Sequence, residues 1–389
     1  MAELADTVSS TPHSGIRVMA DLARDVPNVT RLEVGDPDFV TPDHIIEAAA
    51  AAARAGYTHY PPSAGYPPLR ELIAAKVTDR NGFSTTPDQV VVTTGGGGGL
   101  FTTFLALLNP GDEVLLSDPA WSGYLAQIHV QNGLVKRFPL DRAGGFRLDP
   151  DAIERAIGPR TKVLVLNSPC NPTGVVHGAE ELRRVIEIAE RNDLWVISDE
   201  CYDEIVFDGP ATSLASLGGR ERIVTVFTFS KTYAMTGWRI GYVVAPAALA
   251  AVIGKLQEPV VASASSLSQK GAEAALLGPQ DLVGMMRDSY RERRDLAMDL
   301  LDREGIEYVR PTGAFYLMVD VSAAGDSLEF ATNLLREEQV AVVPGSAFGP
   351  GGEGMVRVSL ASSREDLDLG LTKLARCLGR HRLVTPTRS

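Results

Sequence analysis

The stretch FTFSKTYAMTGWRIGY, residues 227–242, places Lys231 between a serine and a threonine in a largely apolar segment, with Arg239 eight positions later. Lysine is seldom fully buried unless it is paired or has a chemical role. Lys231 is therefore either a stray surface lysine or an amine committed to chemistry. Burial would lower the pKa of the amine and make it a nucleophile. In that second interpretation, Arg239 is placed to bind a phosphate in fork geometry.

Short apolar runs rich in β-branched residues surround this stretch. They comprise VVVT at 90–93, VLLS at 114–117, VLVL at 163–166, WVIS at 195–198, IVTVF at 223–227 and IGYVV at 240–244. Most of them do not alternate with polar residues, which is typical of strands covered on both faces and so of a largely parallel sheet. Amphipathic segments such as AEELRRVIEIAERND at 179–193 lie between several runs. This alternation predicts a doubly wound α/β layer.

After about residue 280 the pattern changes. A long charged segment, MMRDSYRERRDLAMDLLDREG at 285–305, is followed by shorter, more alternating runs and by two helical segments. The runs are FYLMV at 315–319, VAVV at 340–343 and VRVSL at 356–360. This part of the chain predicts a smaller α+β domain joined through a long helix, which ends near Gly305.

Composition excludes several classes of function. The 389 residues carry 37 basic and 49 acidic side chains, a net charge of −12, which argues against binding nucleic acid. The three cysteines form no C-x-x-C pair, so we expect a reducing, cytoplasmic setting without disulfides or a metal site. No signal peptide and no apolar run long enough to span a membrane is evident.

A run of five glycines separates a predicted strand from a predicted helix in VVVTTGGGGGLFTTFLALL, residues 90–108. Glycine lets backbone N–H groups approach an anion, and a helix N-terminus favours negative charge. The P-loop pattern is absent, and the dinucleotide fingerprint fails at its third small residue. One compact phosphate suits the run best, but a plain tight turn explains the glycines equally well.

Four further segments each permit a structural and a functional interpretation. Trp121 in DPAWSGY either caps the core or stacks on an aromatic ligand. Asn171 in NSPCNPTG is either part of a turn or a rigid amide donor. Asp199 in WVISDECYDEI lies either in a solvated turn or at the sheet edge where ligands bind. Arg357 in MVRVSLASS pairs either with a ligand anion or with one of the many acidic residues.

Together these residues supply the parts of a site for pyridoxal 5′-phosphate (PLP). The set contains a lysine for a Schiff base, a carboxylate for the ring nitrogen, a stacking aromatic, a phosphate cup and a second arginine for a substrate carboxylate. With them, the chain resembles the class I/II aminotransferases of the aspartate aminotransferase fold (PLP fold type I). The resemblance covers nearly the whole chain, through LEVGDPDFVTP, YTHYPPSAGYPPLRE, NSPCNPTG, SDECYDE, SKTYAMTGWRIGY, PTGAFY, VVPGSAFG and VRVSLASS.

The resemblance implies a role for each matched residue. Lys231 matches the lysine that binds the cofactor and moves a proton between Cα and C4′. Asp199 matches the carboxylate that keeps the ring nitrogen protonated, and Trp121 the stacking aromatic. Tyr202 and Asn171 match the partners of the 3′-oxygen.

The family's residues that bind the anionic groups of the cofactor and the substrate also have matches in this chain. The phosphate cup corresponds to the backbone of Gly96 and Gly97 with Thr228 and Arg239. Tyr60 matches a tyrosine that reaches the phosphate of the neighbouring subunit, which implies a homodimer with shared sites. The substrate α-carboxylate corresponds to Arg357, the Gly35 backbone and Asn171.

The resemblance also implies a domain organisation. A large PLP-binding domain at 47–284 would hold a mostly parallel seven-stranded sheet between helices. A smaller α+β domain would be built from both chain ends, 1–46 and 285–389.

The glycine run departs from the family pattern. In the bacterial aspartate enzymes that the chain otherwise resembles, a lysine at the place of Gly97 helps to bind the substrate's distal carboxylate. Its absence weakens an aspartate or glutamate assignment. His13, Arg17 and Tyr66 lie where the family closes over the substrate side chain and are candidates for a replacement charge.

The predicted activity is ping-pong transfer of an amino group from an L-amino acid to a 2-oxo acid, by an enzyme that is not standard aspartate-specific. One alternative is a lyase or synthase reaction, elimination or decarboxylation, on the same scaffold. Another is a non-catalytic effector-binding module, which the acidic charge and the absence of a DNA-binding segment disfavour.

Overall fold

The computed structural model describes residues 6–9, 11, 14–209 and 211–384. The strands in chain order are β1 (Thr30–Arg31), β2 (Val90–Thr93), β3 (Glu113–Asp118), β4 (Leu134–Pro139), β5 (Thr161–Asn167), β6 (Trp195–Asp199), β7 (Ile223–Thr228), β8 (Gly241–Val244), β9 (Tyr308–Val309), β10 (Tyr316–Asp320), β11 (Val340–Ala341), β12 (Val343–Pro344) and β13 (Met355–Ser359).

The helices are α1 (Asp6–Ser9), α2 (Gly15–Arg24), α3 (Asp43–Arg54), α4 (Pro67–Arg80), α5 (Gly95–Leu107), α6 (Gly123–His129), α7 (Pro150–Ala156), α8 (Ala179–Arg191), α9 (Phe229–Thr232), α10 (Ala247–Val261), α11 (Ser266–Leu277), α12 (Asp281–Arg303), α13 (Ser327–Glu338) and α14 (Arg364–Val384). Gly305, with φ +61°, follows the end of α12, as the sequence predicted. Among the described residues, no helix is both long enough and apolar enough to cross a membrane.

The larger sheet has seven strands in the order β2-β8-β7-β6-β5-β3-β4. Adjacent strands from β7 to β4 run parallel, whereas β8 is antiparallel to both β7 and β2. The predicted α/β class and the mostly parallel sheet are confirmed. The sequence missed β4 because LVKRFP is an edge strand with charged residues and no apolar run.

Side-chain alternation along these strands builds a core on each face of the sheet. In β5, Leu164 and Leu166 belong to one apolar cluster, while Val163 and Val165 belong to another. Successive strand residues point to opposite faces, so a strand that is apolar throughout requires cover on both sides. This explains why the runs in the sequence do not alternate.

A second, antiparallel sheet has the order β12-β13-β10-β9, and β11 pairs in parallel with β1. A third apolar cluster packs residues near the N-terminal end, including Met19 and Leu32, with residues from 286–378. Both ends of the chain thus share one core. The boundaries at 47 and 284 stay a prediction, because α12 runs continuously across the second of them.

Candidate active site

A cavity of about 320 Å³ opens at the carboxyl ends of the parallel strands. Asn167 and Asp199 end β5 and β6, Lys231 follows β7, and the glycine run follows β2. Every predicted site residue except Tyr60 lines this cavity, namely Gly35, Gly96, Gly97, Trp121, Asn171, Asp199, Tyr202, Thr228, Lys231, Arg239 and Arg357. Segments that are up to about 320 positions apart in the sequence therefore meet in one place.

Lys231 lies on the single-turn helix α9 and faces the cavity. The Thr228 side chain caps this helix by accepting a hydrogen bond from the Ser230 backbone N–H at 3.1 Å. Lys231 Nζ donates to the Gly35 carbonyl oxygen at 2.6 Å. Burial lowers the pKa of Lys231 to about 8. The interpretation of Lys231 as a stray surface lysine is therefore wrong.

Asp199 is 4% exposed, so the solvated-turn interpretation is also wrong. Its carboxylate accepts a hydrogen bond from the Tyr124 hydroxyl at 2.5 Å and one from the Cys201 backbone N–H at 3.2 Å. Burial raises the pKa of Asp199, and these two donors oppose that shift. The hydrogen bonds thus favour the ionised form of a carboxylate that has little contact with water.

Arg357 also lines the cavity and is 1% exposed. Its Nη1 donates to Asn171 Oδ1 at 2.9 Å, and its Nη2 donates to the Glu33 carbonyl oxygen at 2.7 Å. Burial lowers the pKa of Arg357. Within the described residues Nε has no hydrogen-bond partner and no carboxylate forms an ion pair with the guanidinium. The geometry therefore leaves this buried cation available to an anion from outside the chain.

Two tyrosines, Tyr202 and Tyr316, also line the cavity. The hydroxyls of Tyr202 and Tyr316 are 3.0 Å apart, and the Arg357 guanidinium lies 4.2 Å from the centre of the Tyr316 ring. A Cβ built on Gly35 would collide with the Tyr316 hydroxyl, so only glycine permits this close approach.

The glycine run forms the start of α5, and its first residue, Gly95, lies against Arg239. Gly95 has φ +70°, and a Cβ there would come within 2.8 Å of Arg239 Nη2. A Cβ on Gly96 would come within 2.9 Å of Cys201 Sγ. Arg239 itself adopts a left-handed conformation with φ +51°. The tight-turn interpretation of the glycines is wrong, because the run is helical and lines the cavity.

Trp121 lines the cavity and also contacts the core. Its ring packs edge-on against Tyr124, with 5.2 Å between ring centroids. Both interpretations of this residue from the sequence are therefore compatible with its position.

Tyr60 does not line the cavity of its own chain, and its side chain is 88% exposed. Arg17 is also exposed, and its neighbour Ile16 faces the cavity instead. Tyr66 is half-buried away from the cavity, against Lys270. His13 lies outside the described residues.

Sequence reasoning missed several residues that line or support the site, among them Ile16, Tyr124, Asn167, Cys201, Ser230 and Tyr316. Tyr124 and Tyr316 fall inside segments that the analysis quoted, DPAWSGY and PTGAFY. No local pattern assigns them a role, because their partners are distant in the sequence.

Comparison with known proteins identifies relatives over most of the chain. The family model "Aminotransferase class I and II" matches residues 27–374. A probable aspartate/prephenate aminotransferase of Aquifex aeolicus is 42% identical, with 88% of this chain and 89% of the relative covered. An arginine–pyruvate transaminase of Pseudomonas aeruginosa is 39% identical, with 89% of each chain covered. The solved aspartate aminotransferase of Thermus thermophilus with maleate superposes with a TM-score of 0.93 at 38% identity, over 97% of this chain and 100% of that one.

Proposed function

Because the chain belongs to the aminotransferase class I and II family, whose members depend on PLP, we propose that the cavity is where it transfers amino groups. The observation that carries this proposal is the presence of Lys231 and Asp199 in one cavity with a glycine-rich helix start and two arginines. The relatives named above are all aminotransferases, which favours transfer over the elimination or decarboxylation alternative.

The residues present fit PLP. The absence of side chains at Gly95 and Gly96 leaves a cradle beside Arg239, which suits a phosphate at a helix N-terminus. The buried Asp199 suits a protonated ring nitrogen, which would offset the cost of burying its charge. Trp121 supplies an aromatic surface at the same cavity.

When bound, PLP supplies a ring that accepts the electron pair of the substrate's Cα–H bond. Lys231 would bind the cofactor covalently through Nζ and then, once released by the substrate, move a proton from Cα to C4′. A lysine with its pKa near 8 suits this task, because it exchanges protons close to physiological pH. Asp199 would hold the ring nitrogen protonated, and Tyr124 would keep Asp199 ionised.

Arg357 would hold the substrate α-carboxylate, with help from Asn171 and the Gly35 backbone. Asn171 already contacts the guanidinium at Nη1, and the free Nε adds a donor. Tyr202, with Asn171, would orient the ring through its 3′-oxygen, while Thr228 and Arg239 would hold the phosphate. Holding the cofactor and the substrate in fixed positions in this way would lower the entropic cost of the reaction.

We further propose that the enzyme is not standard aspartate-specific. The cations that line the cavity are Lys231, Arg239 and Arg357 among the described residues, and each is already assigned to the cofactor or the α-carboxylate. Gly97 presents no charge at the wall, and a Cβ there would meet nothing closer than Gln127 Nε2 at 3.9 Å. A second substrate carboxylate would therefore lack a charged partner within the described part of this chain.

The exposed Tyr60 supports a homodimer in which this residue completes the phosphate site of the neighbouring subunit. Tyr60 is 88% exposed and does not line the cavity of its own chain, so its side chain is available to a partner subunit. We place the dimer in the cytoplasm, since Cys170, Cys201 and Cys377 are all free thiols.

The test is to mix the cofactor-loaded enzyme with single amino acids and follow the absorbance of the lysine-bound cofactor. We expect conversion to the pyridoxamine form by amino acid alone, and borohydride before substrate should tag Lys231. Lys231→Ala should show neither. A panel in which aspartate is the best donor by a wide margin would refute the substrate proposal, and a tag on another lysine would refute the role of Lys231.

A further inference from the structure

The loop of residues 57–66, here called the Tyr60 loop, is fixed at both ends by the first turn of α11. At its start, Ser266 Oγ donates to the Tyr57 carbonyl oxygen at 2.7 Å. At its end, the Tyr66 backbone N–H donates to Gln269 Oε1 at 2.8 Å. Gln269 is fully buried and its Nε2 donates to the Ala264 carbonyl oxygen at 2.9 Å, so its orientation is set on both sides.

Lys270 adds a contact between the two ends of the Tyr60 loop. Its Nζ lies 4.5 Å from the centre of the Tyr57 ring and 5.1 Å from that of Tyr66. The two rings meet edge to face at 5.8 Å. Glu273 holds Lys270 in place at 2.8 Å. Cation–π contacts of this kind keep the ends of the loop together, while Tyr60 between them remains exposed.

The same turn of α11 also contacts the loop that carries Arg239. Ser268 Oγ donates to the Trp238 carbonyl oxygen at 2.8 Å, which belongs to the peptide bond immediately before Arg239. A Cβ on Gly271 would come within 2.7 Å of the Trp238 ring, so helix and loop pack closely. Arg239 is held in a left-handed conformation, which needs such support in a residue other than glycine.

We propose that the first turn of α11, residues 266–270, is a positioning element shared by the two sites of the dimer. Ser266, Gln269 and Lys270 position the Tyr60 loop for the site of the partner subunit, while Ser268 positions Arg239 in the site of the same chain. The inference rests on the proposed homodimer with Tyr60 at the neighbouring phosphate. It adds residues that contact neither cofactor nor substrate and act through Tyr60 and Arg239.

Mixed dimers test this assignment. One chain carries Lys231→Ala, so the absorbance of lysine-bound cofactor reports only the site built on the other chain. Ser266→Ala should weaken PLP binding at that site about three- to tenfold when it is in the Lys231→Ala chain, as the loss of one hydrogen bond implies. Ser268→Ala should give a similar loss only when it is in the chain that retains Lys231.

The matched control is Ser216→Ala, which removes a hydroxyl that donates to the Ser213 carbonyl oxygen at 2.7 Å, away from both loops. Inorganic phosphate binding to the cofactor-free dimers, measured by calorimetry, gives a readout independent of turnover. Equal effects of Ser266→Ala in either chain would overturn the assignment.

Tyr60→Phe in the Lys231→Ala chain separates this inference from the proposed dimer. If Tyr60→Phe leaves the reporting site unchanged, the shared-site proposal itself fails. If Tyr60→Phe weakens PLP binding while Ser266→Ala does not, only the role of α11 fails.

Discussion

Individual residues in this protein take their chemistry from burial and from one or two partners. Lys231 and Asp199 are titratable groups in the same cavity. Burial lowers the pKa of Lys231 and raises that of Asp199, so it favours the neutral form of each. The donors around Asp199 oppose that shift, and Lys231 Nζ donates to the Gly35 carbonyl oxygen. The site therefore combines a buried carboxylate whose hydrogen bonds favour its ionised form with an amine that readily becomes neutral, a pairing typical of acid–base sites.

Tyr124→Phe should lower kcat roughly 10- to 100-fold, the range expected for losing a hydrogen bond to a charged group. Without this donor the pKa of Asp199 rises, so the acidic limb of the pH–rate profile should move to higher pH. Tyr233→Phe is the matched control, because the Tyr233 hydroxyl donates to Gln280 and not to the site. An unchanged acidic limb in Tyr124→Phe would contradict the role of the hydroxyl.

At the scale of secondary-structure elements, the start of α5 shows how packing selects glycine at some positions and not at others. Gly95 and Gly96 lie against Arg239 and Cys201, whereas Gly97 faces open space. Glycine in the interior of a helix is less favourable than alanine by about 1 kcal/mol. The run thus combines glycines that the fold requires with at least one that it does not.

Gly97→Ala should raise the free energy of unfolding of the cofactor-free protein by ~0.5–1 kcal/mol, because it restricts the unfolded chain and meets no atom within 3.9 Å. Gly96→Ala should lower it by ~1–3 kcal/mol through crowding against Cys201. Denaturant titration of the two variants beside wild type provides the comparison. Equal shifts of the same sign would show that the space around the glycines does not decide their effect.

At the scale of the whole molecule, the seven-stranded sheet, the four-stranded sheet and three apolar clusters bring distant segments of the described chain to one cavity. Arg357 lies on β13 of the antiparallel sheet, Asp199 ends β6 of the mostly parallel sheet, and Lys231 lies on α9 just after β7. Tyr60 does not line its own chain's cavity and is exposed. In the proposed dimer, each chain would supply most of one site and would contribute Tyr60 to the other.

We expect sedimentation equilibrium to give the mass of two chains, and the specific activity to fall on dilution below the dimer dissociation constant. The physical reason is that a single chain would lack the Tyr60 that the other subunit contributes to its phosphate site. Adding excess Lys231→Ala chain at the same dilution should restore activity, because that variant still supplies Tyr60. A fully active species with the mass of one chain would contradict the shared site.

The sequence by itself determined the mostly parallel sheet, the family resemblance and, through that resemblance, many of the residues that line the cavity. These follow from local patterns, since apolar runs report burial and the ends of neighbouring parallel strands lie at one edge of a sheet. The sequence did not predict the edge strand β4, which has no apolar run. It also did not predict the antiparallel direction of β8, because pairing direction depends on contacts between strands. Only the tertiary structure assigned Tyr124 to Asp199, 75 positions away, and the first turn of α11 to two loops. A hydrogen bond between distant segments leaves no periodic signal in either of them, so it becomes visible only when the chain has folded.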